Sequence, residues 1–202
     1  MERQLGFEHV VTACLGAMLW SAEGLEGGVV LLPLGSLEDH PRGVPAALDT
    51  VLALAASCLA ARWEGWLVAP PLGYGFSPCH RRLAVGPRGP RLLEELLADI
   101  VGGLLRGGAL HVAIVDGHEG HRGVAEAVAA RLGASHHSVW DSLVRAARVD
   151  PLDWRGLLGL EEELSRELVR GRVPHVLVEA ARLLREEVAG VVDRRLRAIG
   201  AR

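Results

Sequence analysis

Four short strand-like segments separated by helical patterns constrain the fold of this chain more than any other feature. Residues Val29–Leu34 and 112–115 are continuous apolar runs, which are typical of parallel strands covered on both faces. Alternation of such strands with helices predicts an α/β fold with a mostly parallel sheet. The predicted strands are 29–34, 66–69, 111–115 and 135–140; the predicted helices are 10–20, 50–63, 91–105, 123–132, 157–170 and 175–188, followed by a charged tail around Asp193.

Composition predicts one domain, 1–202, without a nucleic-acid or membrane partner. The 202 residues are 50% hydrophobic and 23% charged, enough for a single large core. A net charge of -3 gives no basic patch for a phosphate backbone. The apolar segment 10–20 is too short to span a membrane, and Glu2 and Glu8 cancel the positive start of a targeting signal.

The cysteines predict a reduced protein. Cys14, Cys58 and Cys79 are odd in number and show no paired spacing, so a disulfide framework is not expected. A reducing cytoplasm is therefore the expected location.

Two turns rich in metal-ligating side chains follow predicted strands. Residues 35–40 (GSLEDH) follow the first strand, and 116–121 (DGHEGH) follow the third. Glu38 and His40 are two residues apart, so in an extended segment they point to the same side. Asp49 stands where a helix should begin, as an N-cap, a ligand, or both. Strand-to-helix turns of a parallel sheet share one edge, so both turns should face one crevice and form a metal site.

Other motif assignments fit the second turn less well. The two histidines, His118 and His121, are three residues apart rather than the four of a zinc-protease helix. The glycines at 117, 120 and 123 lack both the order and the lysine of a phosphate-binding loop. One simple alternative stays open, in which both histidines are loop residues at the start of the helix near Gly123.

The order of these motifs resembles the creatininase (creatinine amidohydrolase) family. Residues 32–40 (LPLGSLEDH), with Pro45 and Asp49, resemble its opening LPxGSxEqHGpHLPxxtD. Residues 71–80 (PLGYGFSPCH) are similar to its pxxyGxSpeH loop, and 114–118 (IVDGH) to its ivNGHggN turn. Residues 138–140 match the strand that follows, so the resemblance covers about 29–141.

The resemblance implies a three-layer α/β/α sandwich that forms homo-oligomers, often hexamers, and hydrolyses a cyclic or linear small-molecule amide. It also implies one or two divalent metal ions. Carried over by position, Glu38, Asp49 and His118 would hold one ion, and His40 with a bridging Asp49 would hold a second. Zinc, manganese or iron suits such mixed carboxylate and imidazole ligands.

Several positions depart from the family pattern. Gly120 stands where creatininase has a glutamate, Asp116 and His121 replace two asparagines, and 83–89 (LAVGPRG) replaces a threonine-rich stretch. In place of the downstream motif HAGexETS the chain has 157–164 (LLGLEEEL), in which Glu162 matches the glutamate and Leu157 replaces the proton-handling histidine. A solvated acidic helix face is the simpler interpretation of this segment.

An amine leaving group needs a proton, so the missing histidine needs a substitute. His80 and His121 are the candidates, while His136 and His137 are expected to be structural or surface residues. Two functions follow. The first is a metal-dependent amidohydrolase with an altered substrate; the alternative is a non-catalytic binding or scaffold protein that keeps the fold but has lost turnover.

Overall fold

The computed structural model describes residues 7–18, 23–78 and 82–200. In these residues the chain forms a mixed α/β fold with four strands and seven α-helices. The strands are β1 Val29–Leu34, β2 Leu67–Val68, β3 His111–Asp116 and β4 Ser135–Ser138. The helices are α1 Phe7–Ala17, α2 Leu48–Glu64, α3 Pro90–Arg106, α4 Arg122–Leu132, α5 Val139–Ala147, α6 Trp154–Val169 and α7 His175–Ala198.

The sheet is parallel throughout, in the order β2-β1-β3-β4. Strands β1 and β3 are its two central strands, and every residue of both is buried. Their register pairs Leu34 with Asp116, the last residue of each strand. The loops that follow β1 and β3 therefore leave the sheet side by side, at the edge where ligands collect in open α/β sheets.

Alternate residues of the central strands pack into two separate cores, as the two-residue period of a strand requires. Leu31 and Val115 face a core formed with α1, α2, α5, α6 and α7. Leu32 and Ile114 face a second core formed with α3 and α4. Helices thus cover both faces of the sheet, and the predicted three-layer α/β/α sandwich is confirmed.

Two sequence predictions about secondary structure are wrong, and one helix has no counterpart among the predictions. The strand predicted at 135–140 ends at Ser138, because the Ser138 hydroxyl accepts a hydrogen bond from Asp141 N–H at 3.2 Å and caps α5. Helix α5 was not predicted at all. Asp193 lies inside α7 rather than in a charged tail. The predicted helix at 10–20 is α1, and residues 19–20 lie outside the described part.

The prediction of a reduced protein is also wrong for one pair, because Cys14 of α1 and Cys58 of α2 form a disulfide. Their Cα atoms are 4.8 Å apart although 44 residues separate them in sequence. The packing of α1 on α2 creates this proximity, and sequence spacing does not report it. Cys79 lies outside the described residues. Among the described helices, none combines the length and apolar character needed to cross a membrane.

Candidate metal centre

The structure brings together the four side chains that the sequence suggested as metal ligands. Glu38 and His40 lie in the loop after β1, Asp49 in the first turn of α2, and His118 in the turn after β3. The His118 Nδ1 atom lies 3.0 Å from Asp49 Oδ2 and 3.1 Å from Glu38 Oε1. The His40 Nε2 atom lies 3.8 Å from Asp49 Oδ1. The two turns therefore face one site, as the sheet topology predicts.

Glycines allow the two turns to approach the start of α2. A Cβ atom at Gly117 would lie 2.2 Å from the Asp49 carbonyl oxygen, and one at Gly35 would lie 2.4 Å from Thr50 Cα. Real Cβ atoms do not approach backbone this closely, so each turn needs glycine at its contact with α2. The close approach places His118 against Asp49.

Asp49 faces the site and does not cap its helix. Ala47 is the N-cap of α2 and makes no side-chain capping bond, while Asp49 is the second residue of the helix. The Asp49 side chain is 2% exposed, and its carboxylate accepts a hydrogen bond from His118. The structure therefore gives Asp49 no capping role and places its carboxylate where a metal ligand would lie.

The electrostatics of the site are dominated by two buried carboxylates that share one imidazolium. Burial alone would raise the pKa of Glu38, but hydrogen bonds from His118, Ser77 and Ser36 prevail and lower it to about 2. Burial likewise opposes the charge on His118, yet its hydrogen bonds to Asp49 and Glu38 raise its pKa to about 10. Burial and the charge of Glu38 raise the pKa of Asp49. A proton on His118 thus supplies the positive charge that this cluster needs.

This donor set fits a divalent metal ion. Glu38, His40 and Asp49 each offer one ligand atom, and these atoms lie within 4.8 Å of one another. Ligand atoms bound at about 2.1 Å in tetrahedral or octahedral geometry lie roughly 3.0–3.4 Å apart, which matches the separations of His118 Nδ1 from both carboxylates. Two carboxylates and two imidazoles suit zinc, manganese or iron. A bound ion would replace the proton of His118 as the central positive charge.

Glu161 of α6 is a site residue that the sequence pattern did not identify. The His40 Nδ1–H donates to Glu161 Oε1 at 2.6 Å. Leu160 and Leu164 are buried, so the face of α6 that carries them also turns Glu161 inward. Glu162, the glutamate matched to the family motif, lies on the opposite, exposed face. The structure does not bring Glu162 to the site. The spacing of Leu160 and Leu164 marks the buried face of α6, and this signal in the sequence would have pointed to Glu161 as the inward-facing glutamate.

His121 is held in a buried network behind the site. The ring has no exposed surface, and its Nε2 accepts a hydrogen bond from Phe76 N–H at 3.0 Å. The proton must then sit on Nδ1, which donates to Asp116 Oδ1 at 3.2 Å. The same Asp116 oxygen accepts from the His118 backbone N–H at 2.9 Å, and the other accepts from His136 Nε2 at 3.3 Å. This network orients the turn that carries His118.

Both nitrogens of His121 are engaged with the protein, so this geometry does not favour the predicted proton relay through His121, which stays a prediction. His80 lies outside the described residues. His137 hydrogen-bonds to Ser135 at 2.9 Å and to Glu187 at 3.3 Å, in keeping with a structural role.

A cavity of about 600 Å³ opens beside the cluster. Away from the cluster, most of its lining residues are apolar and belong to the loop after β1, α5, the loop after α5 and α6. The apolar lining residues are Pro41, Trp140, Val144, Pro151, Trp154, Leu157 and Leu158. Trp140 is fixed by a hydrogen bond of 2.8 Å from its indole N–H to the Gly117 carbonyl. Leu157 occupies the wall where the family motif would present a histidine.

An α/β/α sandwich with acidic and imidazole side chains at the carboxyl ends of its central strands defines a class of α/β proteins with a candidate metal site at this edge. The family model described as "Creatininase: Creatinine amidohydrolase" matches residues 21–187, and the chain belongs to this family. The curated proteins contain no match to this chain.

Solved creatininase structures share the fold. A glutamate-to-glutamine mutant creatininase complexed with creatine is 20% identical, with a TM-score of 0.56 over 69% of this chain and 66% of that chain. A mutant creatininase of Zn-Zn type is 21% identical, with a TM-score of 0.55 over 70% and 66%. A structure named "Creatininase Mn" is 23% identical, with a TM-score of 0.53 over 76% and 63%. The matched region thus spans about two thirds of the length of these neighbours.

Proposed function

We propose that this protein is a metal-dependent amidohydrolase that cleaves the C–N bond of a small cyclic or linear amide. The observation that carries this proposal is the contact of His118 Nδ1 with both Asp49 and Glu38 beside a large cavity. Family membership supports the reaction class, since the family description is creatinine amidohydrolase. The cavity wall carries Leu157 where the family motif has a histidine, which argues for an amide other than creatinine.

Each residue of the cluster has a proposed role. Glu38, Asp49 and His118 would hold one zinc, manganese or iron ion, and His40 with Asp49 would hold a second. Such an ion, when bound, polarises an amide carbonyl and acidifies a water molecule. Trp140 and Leu157 would cover the non-reacting part of the amide, because they form the apolar wall of the cavity.

Proton delivery to the leaving amine is the remaining requirement. His80 is the proposed donor. The described part of its loop reaches the cluster, because the Ser77 hydroxyl is hydrogen-bonded to Glu38 and to Ser36. His80 follows a few residues along the same loop, and histidine is the commonest general acid in enzymes.

Elemental analysis followed by an amide screen tests the proposal. Protein purified without added metal should carry zinc, manganese or iron, and Asp49→Asn should lose it. Asp99→Asn, the same chemical change on the exposed face of α3, should keep the metal. The wild type should then turn over at least one member of a panel of cyclic and linear amides. Unchanged metal content in Asp49→Asn would contradict the proposed centre.

A second candidate function is a non-catalytic binding protein of the same fold. The observation that favours it is Leu157, which gives the cavity wall no imidazole where the family motif has one. Absence of turnover with any of the three metals, in protein shown to be folded and metallated, would favour this candidate.

We also propose a homo-oligomer, such as a hexamer. Leu152 and Trp154 are 89% and 62% exposed near the cavity mouth, which supports an apolar contact there. Light scattering coupled to gel filtration tests the oligomer, and a monomer at micromolar concentration would contradict it.

A further inference from the structure

We infer that Glu161 is a positioning residue that orients His40 toward the metal centre. The inference rests on the proposed function and adds to it a residue outside the ligand set, on a helix far along the chain.

The contact between the two side chains is short and protected from solvent. His40 Nδ1 and Glu161 Oε1 are 2.6 Å apart, and the side chains are 7% and 13% exposed. A charge-assisted hydrogen bond of this length is stronger than one between neutral groups. Because both partners are shielded, water competes for it weakly.

The direction of the hydrogen bond fixes the chemistry of the opposite nitrogen. With a proton on Nδ1 donated to Glu161, a neutral His40 carries its lone pair on Nε2. That atom is the one that faces Asp49, at 3.8 Å from Oδ1. A carboxylate behind a ligating histidine fixes the tautomer and the ring orientation and raises the basicity of the ligand. Glu161 therefore stands where such a partner is needed.

Residue 120, in the turn after β3, is a glycine and offers no carboxylate to the metal centre. A Cβ atom there would lie 2.4 Å from His118 Nε2, so a side chain at 120 requires His118 to move. The turn after β3 thus supplies no carboxylate from this position. The carboxylate that contacts His40 comes instead from α6, and both side chains line the cavity.

Metal titration of a variant set tests the inference. Metal-free protein would be titrated with zinc against a chromogenic chelator at neutral pH, using the wild type, Glu161→Leu and Glu161→Gln. The leucine variant removes the acceptor and should weaken zinc binding about 10–100-fold. The glutamine variant keeps an oxygen that accepts from Nδ1–H and should lose less. Glu163→Gln, an exposed neighbour on the same helix, should bind zinc as the wild type does.

A double-mutant comparison separates positioning from a general effect on the fold. If Glu161 acts through His40, then His40→Ala/Glu161→Leu should bind zinc no more weakly than His40→Ala alone. Thermal unfolding of the metal-free variants would establish that each is folded. If Glu161→Leu is not folded, the zinc titration is made with Glu161→Gln, whose side chain has nearly the same shape as glutamate.

The outcomes distinguish the inference from the proposed function. Wild-type protein that binds zinc while both Glu161 variants bind it equally well overturns the inference alone. The inference is also overturned if the loss of zinc affinity in His40→Ala/Glu161→Leu equals the sum of the losses in the two single variants. Wild-type protein that binds no zinc, manganese or iron overturns the proposed function and the inference with it.

Discussion

Metal binding should release a proton from His118, and the apparent affinity should therefore rise steeply with pH. In the metal-free protein the pKa of His118 is raised to about 10 by its hydrogen bonds to Asp49 and Glu38, against the opposing effect of burial. A ligating imidazole must lose the proton that lies between these carboxylates. At pH 7 this costs about three pH units, or ~4 kcal/mol, which lowers the association constant about 1,000-fold.

Calorimetry in buffers of different ionisation enthalpy measures the released protons directly. We expect at least one proton per bound zinc ion at neutral pH, and about a tenfold gain in affinity per pH unit from 7 upward. His118→Gln should bind zinc more weakly and lose most of this slope. His175→Gln, at the exposed start of α7, should keep it. Zinc binding without proton release, at an affinity independent of pH, would refute the assignment of His118 as a metal ligand that is protonated in the metal-free protein.

Three further predictions concern stability. Gly117→Ala should destabilise the protein by about 1–3 kcal/mol and lower its metal content, since the new methyl group would meet the Asp49 carbonyl. Gly103→Ala, in open space on α3, should change neither the melting temperature nor the metal content. Leu31→Ala should cost about 2–5 kcal/mol in urea unfolding, because Leu31 is fully buried. The pKa of Glu38 is lowered from 4.5 to about 2, so its ionised form should contribute ~3 kcal/mol to the stability of the metal-free protein above pH 4.5. Unfolding curves should show this contribution lost as the pH falls toward 2.

Each of these stability predictions has its own contradicting result. Equal melting temperatures and metal content for Gly117→Ala and the wild type would mean that the turn can move away from α2. A loss below about 1 kcal/mol for Leu31→Ala would mean that the core closes over the cavity. Metal-free stability that stays constant between pH 4.5 and 2 would mean that Glu38 is not held by its hydrogen bonds.

The central strands and the ligand turns could be predicted because local sequence determines them. Strand β1 is a continuous apolar run with the same limits in the sequence and in the structure, Val29–Leu34. The turns that hold Glu38 and His118 follow directly from the parallel order of β1 and β3, whose last residues are paired. Topology alone brings these two side chains to the same edge of the sheet.

Features that depend on tertiary packing were missed. Val139 and Trp140 have the side chains of strand residues, yet the Ser138 cap starts α5 there. The choice between Glu161 and Glu162 depends on which face of α6 meets the core, and it required the register set by neighbouring leucines. The Cys14–Cys58 disulfide depends on the contact between two helices that are distant in sequence.

Anomalous diffraction from crystals grown with zinc at pH 8 tests the central claim most directly. The account predicts a peak within about 2.0–2.3 Å of carboxylate oxygens of Glu38 and Asp49 and of His118 Nδ1. The same crystals of Asp49→Asn should lose that peak. Zinc bound elsewhere, or no peak among these three side chains in well-ordered wild-type crystals, would contradict the account.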